Sequence, residues 1–221
     1  MKNLFVVGGS TDYANWLLPM GFKLTNEREE ADLFLFTGGE DVDPKLYNEP
    51  VGMYTHYNPR RDQYEIDNFN FAKEKGLPMV GVCRGLQFLT VMSGGKLVQD
   101  VSHPSFHPFH TKDGQILHIN SLHHQMALVD SAFTSLKEDE DYELIGWTDR
   151  ISDQHFNGEN KVYPFPENYR EPEVVFFPKT RAWGVQGHPE MLFDSYHSWK
   201  FNKTIEFLQG SVDQCLFQSN K

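Results

Sequence analysis

Four short apolar runs punctuate the chain. Asn3–Val7 ends at Gly8-Gly9, and Asp32–Thr37 carries Leu-Phe-Leu-Phe and ends at Gly38-Gly39. Met79–Val82 leads into Cys83, and Ala182–Gln186 leads into Gly187. Runs that are apolar at consecutive positions predict strands buried on both faces. Helical stretches are predicted between them. Tyr13–Leu18 is a short one stopped by Pro19. Arg61–Lys75 ends at Gly76, a common helix terminator. Gly85–Met92 follows the third run directly, and Ser195–Leu208 is amphipathic and closed by Gly210. Alternating strands and helices predict an α/β fold with a mostly parallel sheet covered on both faces. In such a sheet ligands sit beyond the carboxyl ends of the strands. The stretch Asp153–Pro172, rich in Asn, Glu, Pro and Tyr, predicts a long surface excursion and a candidate lid. With no linker-like segment and no internal repeat, residues 1–221 read as one domain.

Composition narrows this picture. The 221 residues are 39% hydrophobic and 14% aromatic, which excludes a disordered chain. The formal net charge of −11 argues against nucleic-acid partners, because such a surface repels phosphate backbones. A small anionic substrate remains compatible, since a pocket can differ from the global field. The two cysteines, Cys83 and Cys215, support no disulfide framework. The opening run is too short for a signal peptide core or a membrane span. No membrane association is expected, and the reducing cytoplasm is the expected location.

The third apolar run carries the most specific chemistry. Gly81-Val-Cys83-Arg-Gly85 is G-x-C-x-G between a predicted strand and a predicted helix. It is the cysteine counterpart of the nucleophile elbow. A sharp strand-to-helix turn exposes the central side chain and tolerates only small neighbours, which Gly81 and Gly85 supply. The helix N-terminus beside the sulfur favours a thiolate. The bland alternative is a core cysteine flanked by chance glycines.

A thiol nucleophile needs a histidine partner, and the histidine needs an acceptor to orient it. Gly187-His188-Pro-Glu190 supplies both residue types after the fourth apolar run. If Pro189 keeps the chain extended, His188 and Glu190 point to the same side. The bland alternative is a surface pair in a loop. Cys83 and His188 stand 105 residues apart (188 − 83), so only the fold can unite them.

Gly-Val-Cys83-Arg-Gly-Leu-Gln87 together with Gly-His188-Pro-Glu190 resembles the class I glutamine amidotransferase family. The sequence is most similar to its γ-glutamyl-γ-aminobutyrate hydrolase (peptidase C26) branch. Supporting segments are Thr37-Gly-Gly-Glu-Asp41-Val-Asp-Pro44, Arg61-Asp-Gln-Tyr-Glu65, Gly94-Gly-Lys-Leu-Val-Gln99-Asp100 and Asn120-Ser-Leu-His123-His124-Gln125. The resemblance implies a flavodoxin-like three-layer domain with a nucleophile elbow. It also implies hydrolysis of a γ-glutamyl amide through a thioester, releasing glutamate and an amine. It makes Cys83 the nucleophile, His188 the general base and acid, and Glu190 the orienter. The backbone N–H groups of Gly39 and Arg84 would form the oxyanion hole, and Gln87, Ser121, His123 and Gln125 the substrate wall. No cofactor is implied.

The sequence departs from the branch in its walls. Gly187 stands where the family carries Trp. The segment Val101–Asn120 is shorter than usual. Glu173-Val-Val-Phe takes the place of the usual Asp-Gly-x-x-Glu-Ala strand. His103, His107 and His110 lie close together but lack thiolates or H-E-x-x-H spacing, so they read as a polar loop beside the site and no metal is expected. A stand-alone hydrolase of a small γ-glutamyl substrate is the leading expectation. The alternative is a glutaminase subunit supplying ammonia to a separate synthetase partner, and a non-catalytic module on the same scaffold is a third. A homodimer is compatible with each.

Overall fold

In the computed structural model, residues 1–152, 154–193 and 201–218 are described, and one nine-stranded sheet organises them. The strands on the predicted apolar runs are β1 (Lys2–Val7), β3 (Leu33–Phe36), β4 (Met79–Val82) and β13 (Ala182–Val185). With β2 (Phe22–Thr25) they form the parallel half, in the order β2-β1-β3-β4-β13. The sheet continues antiparallel through β12 (Arg170–Phe177), β10 (Glu143–Asp149), β7 (Phe106–Thr111) and β8 (Ile116–Asn120). Short pairs lie outside it: β5 (Lys96–Val98) with β9 (Met126–Leu128), and β6 (Asp100–Val101) with β11 (His155–Phe156).

The consecutive apolar runs explain the layering. Along β3, Leu33 and Leu35 face one core while Phe34 and Phe36 face the other. The first core packs against α4 (Asn202–Asp213) through Ile205, Leu208 and Val212. The second packs against α1 (Pro59–Glu74) through Phe69 and Ala72, and against α2 (Arg84–Met92) through Leu86, Phe88 and Leu89. This is a flavodoxin-like three-layer arrangement with the elbow at the β4–α2 junction. Asn58 caps α1, its side chain accepting from the N–H groups of Arg60 and Arg61, and Pro59 occupies the first turn. The expected start of the last helix at Ser195 lies outside the described residues. Among those described, no helix is long and apolar enough to cross a membrane.

Three expectations change. Tyr13–Leu18 is not one helix but two 3₁₀ turns, Thr11–Ala14 and Leu18–Met20. The polar loop carrying His107 and His110 is strand β7, whose alternation was hidden by histidines and by Pro108 on the face away from the core. The stretch read as a surface excursion is pinned down: His155 pairs through β11, and Phe165 and Tyr169 are buried in a third cluster with Val98, Val101, Met126 and Leu128.

The elbow depends on its glycines. A Cβ on Gly85 would lie 2.1 Å from the Phe36 carbonyl oxygen, and one on Gly81 would lie 2.4 Å from the Gly85 carbonyl carbon. Both obstacles are backbone in the sheet or at the helix start and cannot rotate away. Gly85→Ala is therefore expected to cost about 3 kcal/mol or more. Urea unfolding checks this; an unchanged midpoint would mean that β3 and α2 separate freely.

Candidate active site

The elbow strains its own residue. Cys83 has φ 54° and ψ −110°, the backbone conformation of a sharp turn rather than of strand or helix. Its N–H donates to the Val185 carbonyl at 2.8 Å, locking it to β13, and the residue is 7% exposed. Arg84 opens α2, so its N–H has no acceptor within the helix.

His188 follows β13 and precedes the short helix α3 (Pro189–Phe193). Its Nδ1 lies 2.7 Å from Glu190 Oε1, and the ring lies close enough to Cys83 to feel its charge. With Nδ1 on the glutamate, Nε2 is the nitrogen left for the sulfur. The route to this geometry differs from the extended segment expected above. Pro189 starts a helix, where its missing N–H costs nothing, and the first turn folds Glu190 back onto the ring. Asn120 holds the backbone here: its Oδ1 accepts from the His188 N–H at 2.8 Å and its Nδ2 donates to the His188 carbonyl at 3.1 Å. Tyr13 lies over the ring, with centroids 6.1 Å apart. Neither contact was legible beforehand, because both partners come from elements distant in the chain.

Electrostatics favours a protonated His188. Burial opposes a charged His188, but the hydrogen bonds and negative charges of Cys83 and Glu190 outweigh it and raise the ring to about 10. Tyr13 is pushed up by burial and by the nearby Glu190 and Cys83. Because His188 binds its proton more tightly folded than unfolded, its stabilisation is fully present below about pH 6.5. It is lost as the pH rises from there through about 10. Thermal unfolding followed from pH 6 to 10 should show a decline that is flatter in His188→Gln; parallel curves would remove the assigned charge.

A cavity of about 190 Å³ opens on the sulfur, lined by Gly39, Glu40, Asp41, Gln87, His123 and Gln125 among others. That is below the size of drug-like ligand sites and suits an amino-acid-sized group. A larger cavity, about 850 Å³ and flanked by Lys112, Glu143 and Cys215, contains none of the candidate residues. Gln87 Nε2 donates to the Gln125 carbonyl at 2.8 Å, which leaves its Oε1 as an acceptor. His123 Nδ1 lies 2.8 Å from the same carbonyl, and burial with the neighbouring His103 and His107 holds it well below the usual histidine range. At the rim His124 Nε2 lies 3.0 Å from Asp41 Oδ1, and that hydrogen bond raises it above the usual range. Ser121 is buried, its N–H donates to the Ser105 carbonyl, and it is not among the residues lining this cavity.

Behind the loop Thr37–Gly39 sits an ion network unnoticed in the sequence except as a motif. Buried Arg84 pairs with Asp62 at 2.5 Å and with Glu65. Glu65 also receives Arg61 Nε at 3.0 Å, and Arg61 donates to the Gly38 carbonyl at 2.7 Å. The Arg61 side chain fills the space where a Cβ on Gly39 would stand, and Gly39 has φ +143°. The loop is thus held from beneath, with its backbone facing the cavity.

A flavodoxin-like sheet with a cysteine elbow and a histidine–glutamate pair beside it defines the class I glutamine amidotransferase-like proteins. Within that class the chain belongs to the peptidase C26 family, whose model matches residues 21–144. The matched span includes Cys83, while His188 and Glu190 lie beyond it. A glutamine amidotransferase-like protein of Lactococcus lactis subsp. lactis, YvdE, is 38% identical over 192 residues, covering 82% of this chain and 75% of that protein. The γ-glutamyl-γ-aminobutyrate hydrolase of Shigella flexneri is 37% identical over 65 residues, 29% of this chain and 25% of that one. The glutaminase domain of Trypanosoma brucei CTPS shares the fold, with a TM-score of 0.57 at 10% identity, covering 100% of this chain and 96% of that domain. Family membership supports a cysteine-type amidohydrolase activity.

Proposed function

We propose that the protein hydrolyses a γ-glutamyl amide through a thioester on Cys83, releasing glutamate and an amine. One observation carries this reading: His188 is shared between the sulfur and Glu190, at a strained elbow beside an amino-acid-sized cavity. The sulfur attacks the amide carbon, and the oxyanion is held by the N–H groups of Gly39 and Arg84. His188, already protonated, gives its proton to the leaving amine, so the C–N bond breaks as the thioester forms. A water then loses a proton to His188 and attacks the thioester, which frees glutamate and restores the thiolate–imidazolium pair. Glu190 fixes the ring and supports its charge. Gln87 Oε1 with the carboxylates of Glu40 and Asp41 suits the substrate's α-ammonium, and His124 suits its α-carboxylate.

Mass spectrometry of the intact protein after brief mixing with a panel of γ-glutamyl amides tests this. The expected product is one γ-glutamyl group on Cys83; no adduct, or an adduct on another residue, would sink the reading. Glutamine turnover that appears only with a second protein present would instead favour a glutaminase subunit serving a synthetase.

A further inference from the structure

Behind the substrate wall lies a buried group of imidazoles and carboxylates that the proposed hydrolysis does not use. Glu173 and Glu171 point from β12 toward His107 of β7, His103 of the preceding loop and His155 of β11. The side chains of His103, His107, Glu171 and Glu173 are all at most 3% exposed. His107 Nε2 lies 2.8 Å from Glu173 Oε1, and His103 Nε2 lies 3.6 Å from the same oxygen. The ligating atoms of these three residues fall within 4.8 Å of one another. The His103 ring sits 4.4 Å from that of His107 and 4.7 Å from that of His123.

Two features separate this group from an ordinary hydrogen-bond network. The first is tautomer control. His107 Nδ1 lies 3.3 Å from the Pro104 carbonyl and His123 Nδ1 lies 2.8 Å from the Gln125 carbonyl. A carbonyl can only accept, so each Nδ1 carries a proton and each Nε2 is turned the other way. In His107 this aims Nε2 at the Glu173 carboxylate, with which it hydrogen-bonds. Metal-ligating histidines are typically oriented by such a second hydrogen bond to a backbone carbonyl. The second feature is polar groups left without partners. His103 Nδ1, His123 Nε2 and Glu173 Oε2 are buried and make no hydrogen bond among the described residues, while His103 Nε2 lies 3.2 Å from Glu171 Oε2. Orphaned buried polar atoms are expensive, and a cluster of them offers donors to a bound cation.

Charge indicates what the occupant is. Glu171 and Glu173 are buried, and their ion pairs among the described residues are all with histidines. A divalent cation can take the place of the imidazole protons that these carboxylates otherwise accept. Two histidines and a carboxylate make up a common zinc donor set, with bonds of about 2.0–2.2 Å.

We infer that His103, His107 and Glu173 bind a divalent transition-metal ion of the zinc class, with His123 flanking as a further nitrogen donor. Glu171 supports the site from outside by accepting from His155 at 2.8 Å. This revises the expectation of a metal-free protein drawn from motif spacing: the ligands come from a loop and two strands, so no fixed sequence interval announces them. Because His123 also lines the cavity beside Cys83, the ion braces the substrate wall. The site stands independently of the hydrolase reading.

The test uses the full chain with Cys83→Ser and Cys215→Ser, so that no thiolate competes. After chelator treatment, Zn²⁺ is titrated in competition with a chromophoric chelator. One equivalent is expected to bind with Kd of about 10 µM or tighter. His103→Gln and Glu173→Gln should each weaken it by about a hundredfold or more. Weaker binding by the cysteine-free chain, or binding unaltered by both substitutions, overturns the site. Should the variants fail to fold, Co²⁺ added to the cysteine-free chain decides. A visible d–d band with shifted His103 and His107 ring resonances supports the assignment, and a six-aquo spectrum or unshifted rings overturns it.

Discussion

Cys83→Ala is expected to abolish glutamate release from γ-glutamyl amides, lowering the rate by at least about a thousandfold. The reason is structural as well as chemical. The cysteine is the residue at φ 54° between β4 and α2, and its sulfur is the sulfur at the mouth of the 190 Å³ cavity. The other cysteine, Cys215, borders a different cavity and cannot substitute. Alanine is smaller and the elbow is formed by the glycines, so the fold should persist and substrate should still bind. A variant that keeps its unfolding midpoint but loses both turnover and the covalent adduct would separate a chemical defect from a structural one. Residual turnover within tenfold of the parent would end the thioester reading.

Glu190→Gln should be the next most damaging change, lowering kcat by about a hundred- to ten-thousandfold. Glutamine keeps the shape and still accepts one hydrogen bond, but it removes the negative charge that holds His188 protonated at neutral pH. Its amide can also rotate to offer an N–H to Nδ1 and favour the wrong tautomer. The loss should be largest above neutral pH, because burial then wins and the ring sheds its proton earlier. Measuring kcat from pH 6 to 9 checks this: an activity limb displaced to lower pH is expected. An undisplaced limb with normal kcat would show that Glu190 serves only to hold the helix start.

The parallel half of the fold was legible because β1, β3, β4 and β13 are buried on both faces and so carry consecutive apolar residues. The antiparallel half was not. β7 reads Phe-His-Pro-Phe-His-Thr, and its buried positions are occupied by His107, Phe109 and Thr111, so a strand that buries polar atoms looks like a loop. Within the excursion after residue 153, the burial of Phe165 and Tyr169 was not legible, because isolated aromatics show no period. Within the site, the elbow was readable because its physics is local, a turn that admits only glycine at two fixed offsets. The helical start at Pro189 was misread because proline suits both an extended segment and a first helical turn.

Residue order by itself determined the elbow, the alternation that makes a three-layer α/β sheet, and the residue types needed for thiol chemistry. Those follow from short-range sterics and from which faces a segment must bury. Tertiary structure alone decided that Glu190 folds back onto the His188 ring and that Asn120 clamps the His188 backbone. It also brought three histidines and two glutamates together behind the wall. Contacts between distant segments depend on how sheets and helices pack, and no local pattern encodes that packing.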